Sequence, residues 1–146
     1  MRDLERRQFG RTGLSVTALG FGAMDLGGPP AANEISDVEA SRVLNIVLDS
    51  GINFIDTAVC YGTSEARIGR TISHRRREFI LATKCGCVPG MPMGTPHVHT
   101  AANIRAGVEH SLRTMAQPAD PQSQLSSSRW AWLNSKLLST AGHTAR

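Results

Sequence analysis

The chain has 146 residues, enough for one ordinary domain with a sizeable core. Its net charge is +4 with a pI ≈ 9.5, but aromatics make up only 5% of it, and a nucleic-acid surface needs a broad basic stripe interleaved with stacking rings. No apolar run is long enough to span a membrane, and the charged start Met1 to Arg7 lacks a signal-peptide core. Cys60, Cys85 and Cys87 form no disulfide framework, so a cytoplasmic location without nucleic-acid or membrane partners is the default expectation.

In chain order, Gln8 to Val16 reads as a hairpin with its turn at Gly10-Arg11-Thr12-Gly13. Thr17 to Gly22 reads as a strand, and Met24 to Asn33, with Pro29-Pro30 and two glycines, as a loop. Ser36 and Glu39 have capping-box spacing before Ala40, Val43, Leu44, Val47 and Leu48, which fall on one helical face. Gly51 stops that helix. Asn53 to Thr57 is a second strand, and Ser64 is expected to cap a shorter helix whose Ile68 and Ile72 share a face. Arg75-Arg76-Arg77 reads as a solvated turn, and Phe79 to Lys84 as a third strand. A proline- and glycine-rich loop follows. Thr100 then caps a helix with Ile104, Val108, Leu112 and Met115 inward. Strands alternating with helices imply a parallel sheet.

The character changes after Met115. Residues 116–128 hold Pro118, Pro121 and four serines, and every acidic residue lies at or before Asp120. No strand-like run is evident there. Trp130-Ala131-Trp132-Leu133 with Leu137-Leu138 suggests at most a short docking helix. The expected division is therefore 1–115 as the folded part, and 116–146 as an unrelated, disordered or frameshifted tail.

The chemistry-bearing residues sit at strand ends. Asp56 and Tyr61 lie in Phe54-Ile55-Asp56-Thr57-Ala58-Val59-Cys60-Tyr61-Gly62, and Lys84 closes Leu81-Ala82-Thr83-Lys84. A tyrosine that donates a proton near neutral pH needs an adjacent cation, and a carboxylate keeps that cation charged and fixed. Together with Gln8-Phe9-Gly10-Arg11-Thr12-Gly13-Leu14-Ser15-Val16, Leu19-Gly20-Phe21-Gly22-Ala23-Met24, Gly51-Ile52-Asn53, Ser64-Glu65 and Ile68-Gly69-Arg70, these segments resemble the aldo-keto reductases, in order, from Arg7 to about Met115.

The resemblance implies an α/β fold, an N-terminal hairpin plus the first three βα units of a (β/α)8 TIM barrel. It also implies NADPH-dependent reduction of aldehydes or ketones, with small carbonyl or alcohol substrates. Tyr61 would protonate the alkoxide, Lys84 would assist it, and Asp56 would pair with Lys84 and lie near the nicotinamide ribose. Gly22, Ala23 and Met24 match a cofactor-binding segment. A complete barrel takes about 250 residues, so the barrel is expected to be incomplete and the chain alone inactive. The family's histidine on the fourth strand would fall near Gln124 or Leu125, yet no histidine lies between His110 and His143. The pocket for the 2′-phosphate, built from later strands in the family, is not expected within this chain.

Two other readings remain open. Cys85-Gly86-Cys87 and His97-Val98-His99 offer thiolates and imidazoles to a zinc ion, though not at customary spacings. A partial sheet also exposes strand edges, which invite self-association as a non-catalytic interaction fragment.

Overall fold

The computed structural model describes residues 4–29, 32–91, 93–115 and 130–134. Strands β1 (Arg6–Gln8) and β2 (Ser15–Thr17) form an antiparallel hairpin. A parallel sheet follows in the order β3 (Phe21–Gly22), β4 (Phe54–Asp56), β5 (Ile80–Cys85) and β6 (Trp130–Asn134). Helices α1 (Asp37–Asp49), α2 (Ser64–Ile72) and α3 (Ala101–Met115) alternate with these strands. The result is a partial βα barrel with parallel strands.

Strand alternation divides the sheet into two faces. Ile55, Phe79 and Leu81 pack with Ala40, Leu44 and Leu48 of α1, Ile68 and Ile72 of α2, and Met115 of α3. On the other face, Ile80 and Ala82 pack with Phe54 and with Phe9, Leu14 and Val16 of the hairpin. The hairpin thus closes the end of the sheet where the strands begin. Buried Asn53 fixes it there. Its Oδ1 accepts from Thr17 N at 2.7 Å, its Nδ2 donates to Ser15 O at 2.9 Å, and its own N–H donates to Thr17 Oγ1 at 3.1 Å.

The first helix forms as expected. Ser36 Oγ accepts from Glu39 N at 3.1 Å, and Gly51 takes φ +86 just past the end. Several expectations need correction. Thr17 belongs to the hairpin, and only Phe21 and Gly22 of the proposed first strand join the sheet. Ser64 is not a cap. It lies inside α2, fully buried, where its Oγ donates to Ala23 O at 2.7 Å and meets Thr57 Oγ1 at 3.0 Å. The arginine run is a 3-10 helix, Ser73–Glu78, and Arg76 is buried, with Nη1 donating to Phe79 O at 2.8 Å. In α3 the fully buried positions are Gly107, Ser111 and Met115, while Ile104, Val108 and Leu112 are half-buried.

The largest correction concerns Trp130–Asn134. These residues form a strand, not a docking helix, and they pair in parallel with β5 in the register Leu81↔Trp130 to Cys85↔Asn134. Tryptophan and leucine suit a pleated surface, and β5 offers an open row of backbone groups. The expectations for residues 116–129 and 135–146 lie outside the described residues.

Candidate active site

Asp56 ends β4 and Lys84 lies one residue short of the end of β5. The register pairs Asp56 with Ala82, so Lys84 is two residues farther along and on the same face as Ala82. Its Nζ reaches across to Asp56 Oδ2 at 2.5 Å and to Thr57 O at 3.0 Å. It also lies 5.0 Å from the centroid of the Tyr61 ring. The three residues expected from the sequence therefore meet at the ends of adjacent strands, where barrels carry their chemistry. Asp56 Oδ1 is buried and receives no hydrogen bond from the described residues. A buried carboxylate oxygen left with spare acceptor capacity suits a hydroxyl donor from a bound molecule.

Tyr61 is held by its neighbours' backbone. Its N–H donates to Ala58 O at 3.0 Å, and its carbonyl accepts from Ser64 N at 2.9 Å. The next residue, Gly62, takes φ +51, and the turn presses against Gly27, whose carbonyl accepts from Thr63 N at 3.1 Å. A Cβ on Gly27 would run into the Tyr61 carbonyl, and one on Gly62 into the Gly27 carbonyl. Gly27 belongs to the 3-10 turn Met24–Gly27, and Arg67 of α2 secures the loop around it. Arg67 donates to Leu26 O at 2.6 Å, Ile35 O at 2.8 Å and Asp37 Oδ1 at 2.8 Å.

A cavity of about 540 Å³ opens beside these groups. Tyr61, Lys84, Cys60, Cys85 and Cys87 line it, together with Met91, Met93 and His97 of the following loop. Burial pushes the Cys87 thiol up to about 12, and a hydrogen bond with Cys60 adds to that shift.

Residues 18–119, well over half of the chain, match the sequence pattern of the aldo/keto reductase family. The chain belongs to that family. It is 32% identical over 117 residues to a 6-dehydroglucose reductase of Novosphingobium aromaticivorans, covering 73% of this chain and 36% of that protein. It is 37% identical over 91 residues to an L-galactose dehydrogenase of Arabidopsis thaliana, covering 59% and 28%. Among solved structures, the holo form of an aldo-keto reductase from Bacillus halodurans superposes with a TM-score of 0.57 at 32% identity, over 77% of this chain and 34% of that one. A Pseudomonas aeruginosa protein described as an aldo-keto reductase gives 0.66 at 35% identity, over 78% and 43%. The chain thus spans about a third of the length of these curated relatives.

Within this aldo-keto reductase chain, the expected cofactor segment divides. Gly22 pairs with Asp56 across the sheet and is exposed, and Met24 is also exposed. Ala23 is fully buried, its N–H donating to Asp56 O at 2.8 Å and its carbonyl accepting from Ser64. The metal reading fares differently. Among the described residues no three His, Cys, Asp or Glu side chains gather as ligands, and His97 and His99 instead stack edge to face with ring centroids 5.9 Å apart.

Sequence reasoning missed Glu65. It is buried behind the site, where its Oε1 accepts from Thr83 Oγ1 at 2.7 Å and from Ser111 Oγ at 2.8 Å. Burial raises its carboxyl above the usual range, and those two hydroxyls oppose the shift. The available signal was a glutamate at the start of a helix whose later inward residues, Ile68 and Ile72, are apolar.

Proposed function

We propose that this chain carries the proton-donating unit of an NADPH-dependent reductase acting on small aldehydes or ketones. The observation that supports it is the placement of Lys84, held between Asp56 Oδ2 and Thr57 O and facing the Tyr61 ring. Tyr61 gives its hydroxyl proton to the developing alkoxide. Lys84 supplies the positive charge that stabilises the oxygen left behind, and Asp56 fixes Lys84. NADPH, when bound, supplies the hydride. Asp56 Oδ1, with its unused acceptor capacity, suits a ribose hydroxyl. Gly22 pairs with Asp56 across the sheet, and Ala23 N–H donates to the Asp56 carbonyl, so this segment is tied to the residue that would meet the ribose.

Phosphate contacts give a dinucleotide much of its charged anchoring. In the reading proposed here they come from residues beyond this span. The 146-residue chain alone is therefore expected to show no micromolar NADPH affinity by fluorescence titration and no turnover. The decisive experiment joins residues 1–115 to the remaining βα units of a complete family member. Tyr61→Phe in that chimera should lower carbonyl reduction by about 10²–10⁴-fold, the usual contribution of general acid catalysis. Lys84→Met should also lower it. Unchanged reduction by the Tyr61→Phe chimera would remove the proposal.

A further inference from the structure

The segment between β5 and α3 is closed on itself. Val98 N donates to Gly86 O at 2.8 Å, which brings the two ends of the segment together. Asn103, in the first turn of α3, holds both ends at once. Its Nδ2 donates to Val98 O at 2.7 Å and to Gly86 O at 3.3 Å. Gly86 takes φ +116 there, and the His99 ring lies where a side chain would stand. A loop tied at its base by one amide keeps its inner face in place, and that face lines the cavity beside Tyr61 and Lys84.

The cavity, at about 540 Å³, is of small-molecule size. Its lining is soft and largely apolar. Val88, Met91, Met93 and Pro96 come from the loop. Cys60 joins them from the turn before Tyr61, and Cys85 and Cys87 from the end of β5 and just past it. Met91 and Met93 remain 47% and 41% exposed, apolar surface that a bound molecule would take out of water. Methionine is flexible and polarisable, and its sulfur makes favourable contacts with the edges of aromatic rings. Among the described residues, no aspartate, glutamate, asparagine, glutamine or arginine lines the cavity. Those side chains can pair with a row of hydroxyls, and a hydroxyl buried without a partner costs binding.

We propose that this loop, with Asn103 as its positioning residue, selects aryl ketones and aldehydes over polyhydroxylated ones. The inference rests on reading the site as a carbonyl site, but it concerns the substituent and not the proton transfer. The carbonyl oxygen faces Tyr61 and Lys84, and the ring lies against Met91 and Met93.

The test uses the full 146-residue chain with methyl-labelled methionine, followed by NMR. Met91→Leu and Met93→Leu assign the two loop signals. Acetophenone should move both signals saturably. Erythrulose, a polyhydroxylated ketone, should leave them in place at the same concentration. Asn103→Ala should shift both loop signals and lower acetophenone affinity by about tenfold, the order of one lost hydrogen bond. The signal of Met115, which is buried in the core at the far end of α3, should stay where it is. Binding needs neither hydride nor proton transfer, so a failed Tyr61→Phe test would leave this result standing. No movement with acetophenone, movement confined to the other methionines, or equal movement with erythrulose would overturn the selection. Loop signals unmoved in Asn103→Ala, or a Met115 signal that moves with them, would overturn the role of Asn103.

Discussion

Glu65 is a buried carboxylate with two hydroxyl donors and no ion pair among the distances described. Two hydroxyls do not replace the water that a charged carboxylate loses, so burial dominates and the group holds its proton to a higher pH than it would in the unfolded chain. The folded state thus binds more protons than the unfolded state above the ordinary glutamate range. Glu65 adds stability below its unfolded value, and that contribution is lost as pH rises through the folded one. Melting temperatures followed upward in pH from the ordinary glutamate range should show this decline. Glu65→Gln should flatten it, because an amide oxygen accepts the same two hydroxyls without a charge. A mutant with an unaltered slope would show that another group sets the pH dependence. Asn53 makes a second prediction at this scale. In Asn53→Ala the buried Thr17 N–H loses its acceptor. An unsatisfied buried donor costs about 1–3 kcal/mol, which chemical denaturation would register directly.

Among the elements, the contact between Met24–Gly27 and the turn at Tyr61 joins two backbones with no room for a side chain between them. Gly27→Ala should push the Tyr61 turn away from Lys84 and cost about 1–3 kcal/mol by overpacking. In the reductase chimera it should lower turnover, while Gly10→Ala, at φ +56 with open space around it, should strain only the hairpin turn and leave the site in place. None of this was visible beforehand, because Gly27 read simply as one of several loop glycines. What was visible was local. The Ser36–Glu39 spacing and the one-sided face of Ala40, Leu44 and Leu48 specify α1 within a short stretch of chain, and the structure agrees. Asp56 and Lys84 could be paired because both end apolar runs, and parallel strands bring such ends together. The errors arose where distant partners decide. Ser64 has the composition of a cap, but the carbonyl of Ala23 claims its hydroxyl. Arg76 belongs to a charged run, but Phe79 turns it inward, with the guanidinium 4.9 Å from the ring centroid. Trp130–Asn134 lacks any local signature strong enough to announce a strand, and it is the edge of β5 that makes it one.

At the scale of the molecule, the sheet ends in β3 on one side and β6 on the other among the described strands. Outer strands present unpaired backbone groups, and such rows template further pairing. The isolated chain is expected to self-associate with rising concentration, giving apparent masses by light scattering above that of a 15.7 kDa monomer. A concentration-independent monomer would show that these edges are protected. The two ends of the sheet carry different duties. The hairpin and Asn53 secure the end where strands begin, and Asp56, Tyr61 and Lys84 occupy the other. Arg67 adds a further consequence at that second end. Its guanidinium ties Leu26 O to Ile35 O, so both ends of the connecting segment are anchored to the same side chain. A segment with pinned ends can change its contour without moving its supports, and each doubling of a flexible loop's length costs only about 0.6 kcal/mol in closure entropy. Peptides inserted between Leu26 and Ile35 are therefore expected to be tolerated, because Arg67 holds both anchoring carbonyls. Sequences of varied length could be grafted there, with Arg67 serving as the clasp that keeps the scaffold indifferent to what is carried.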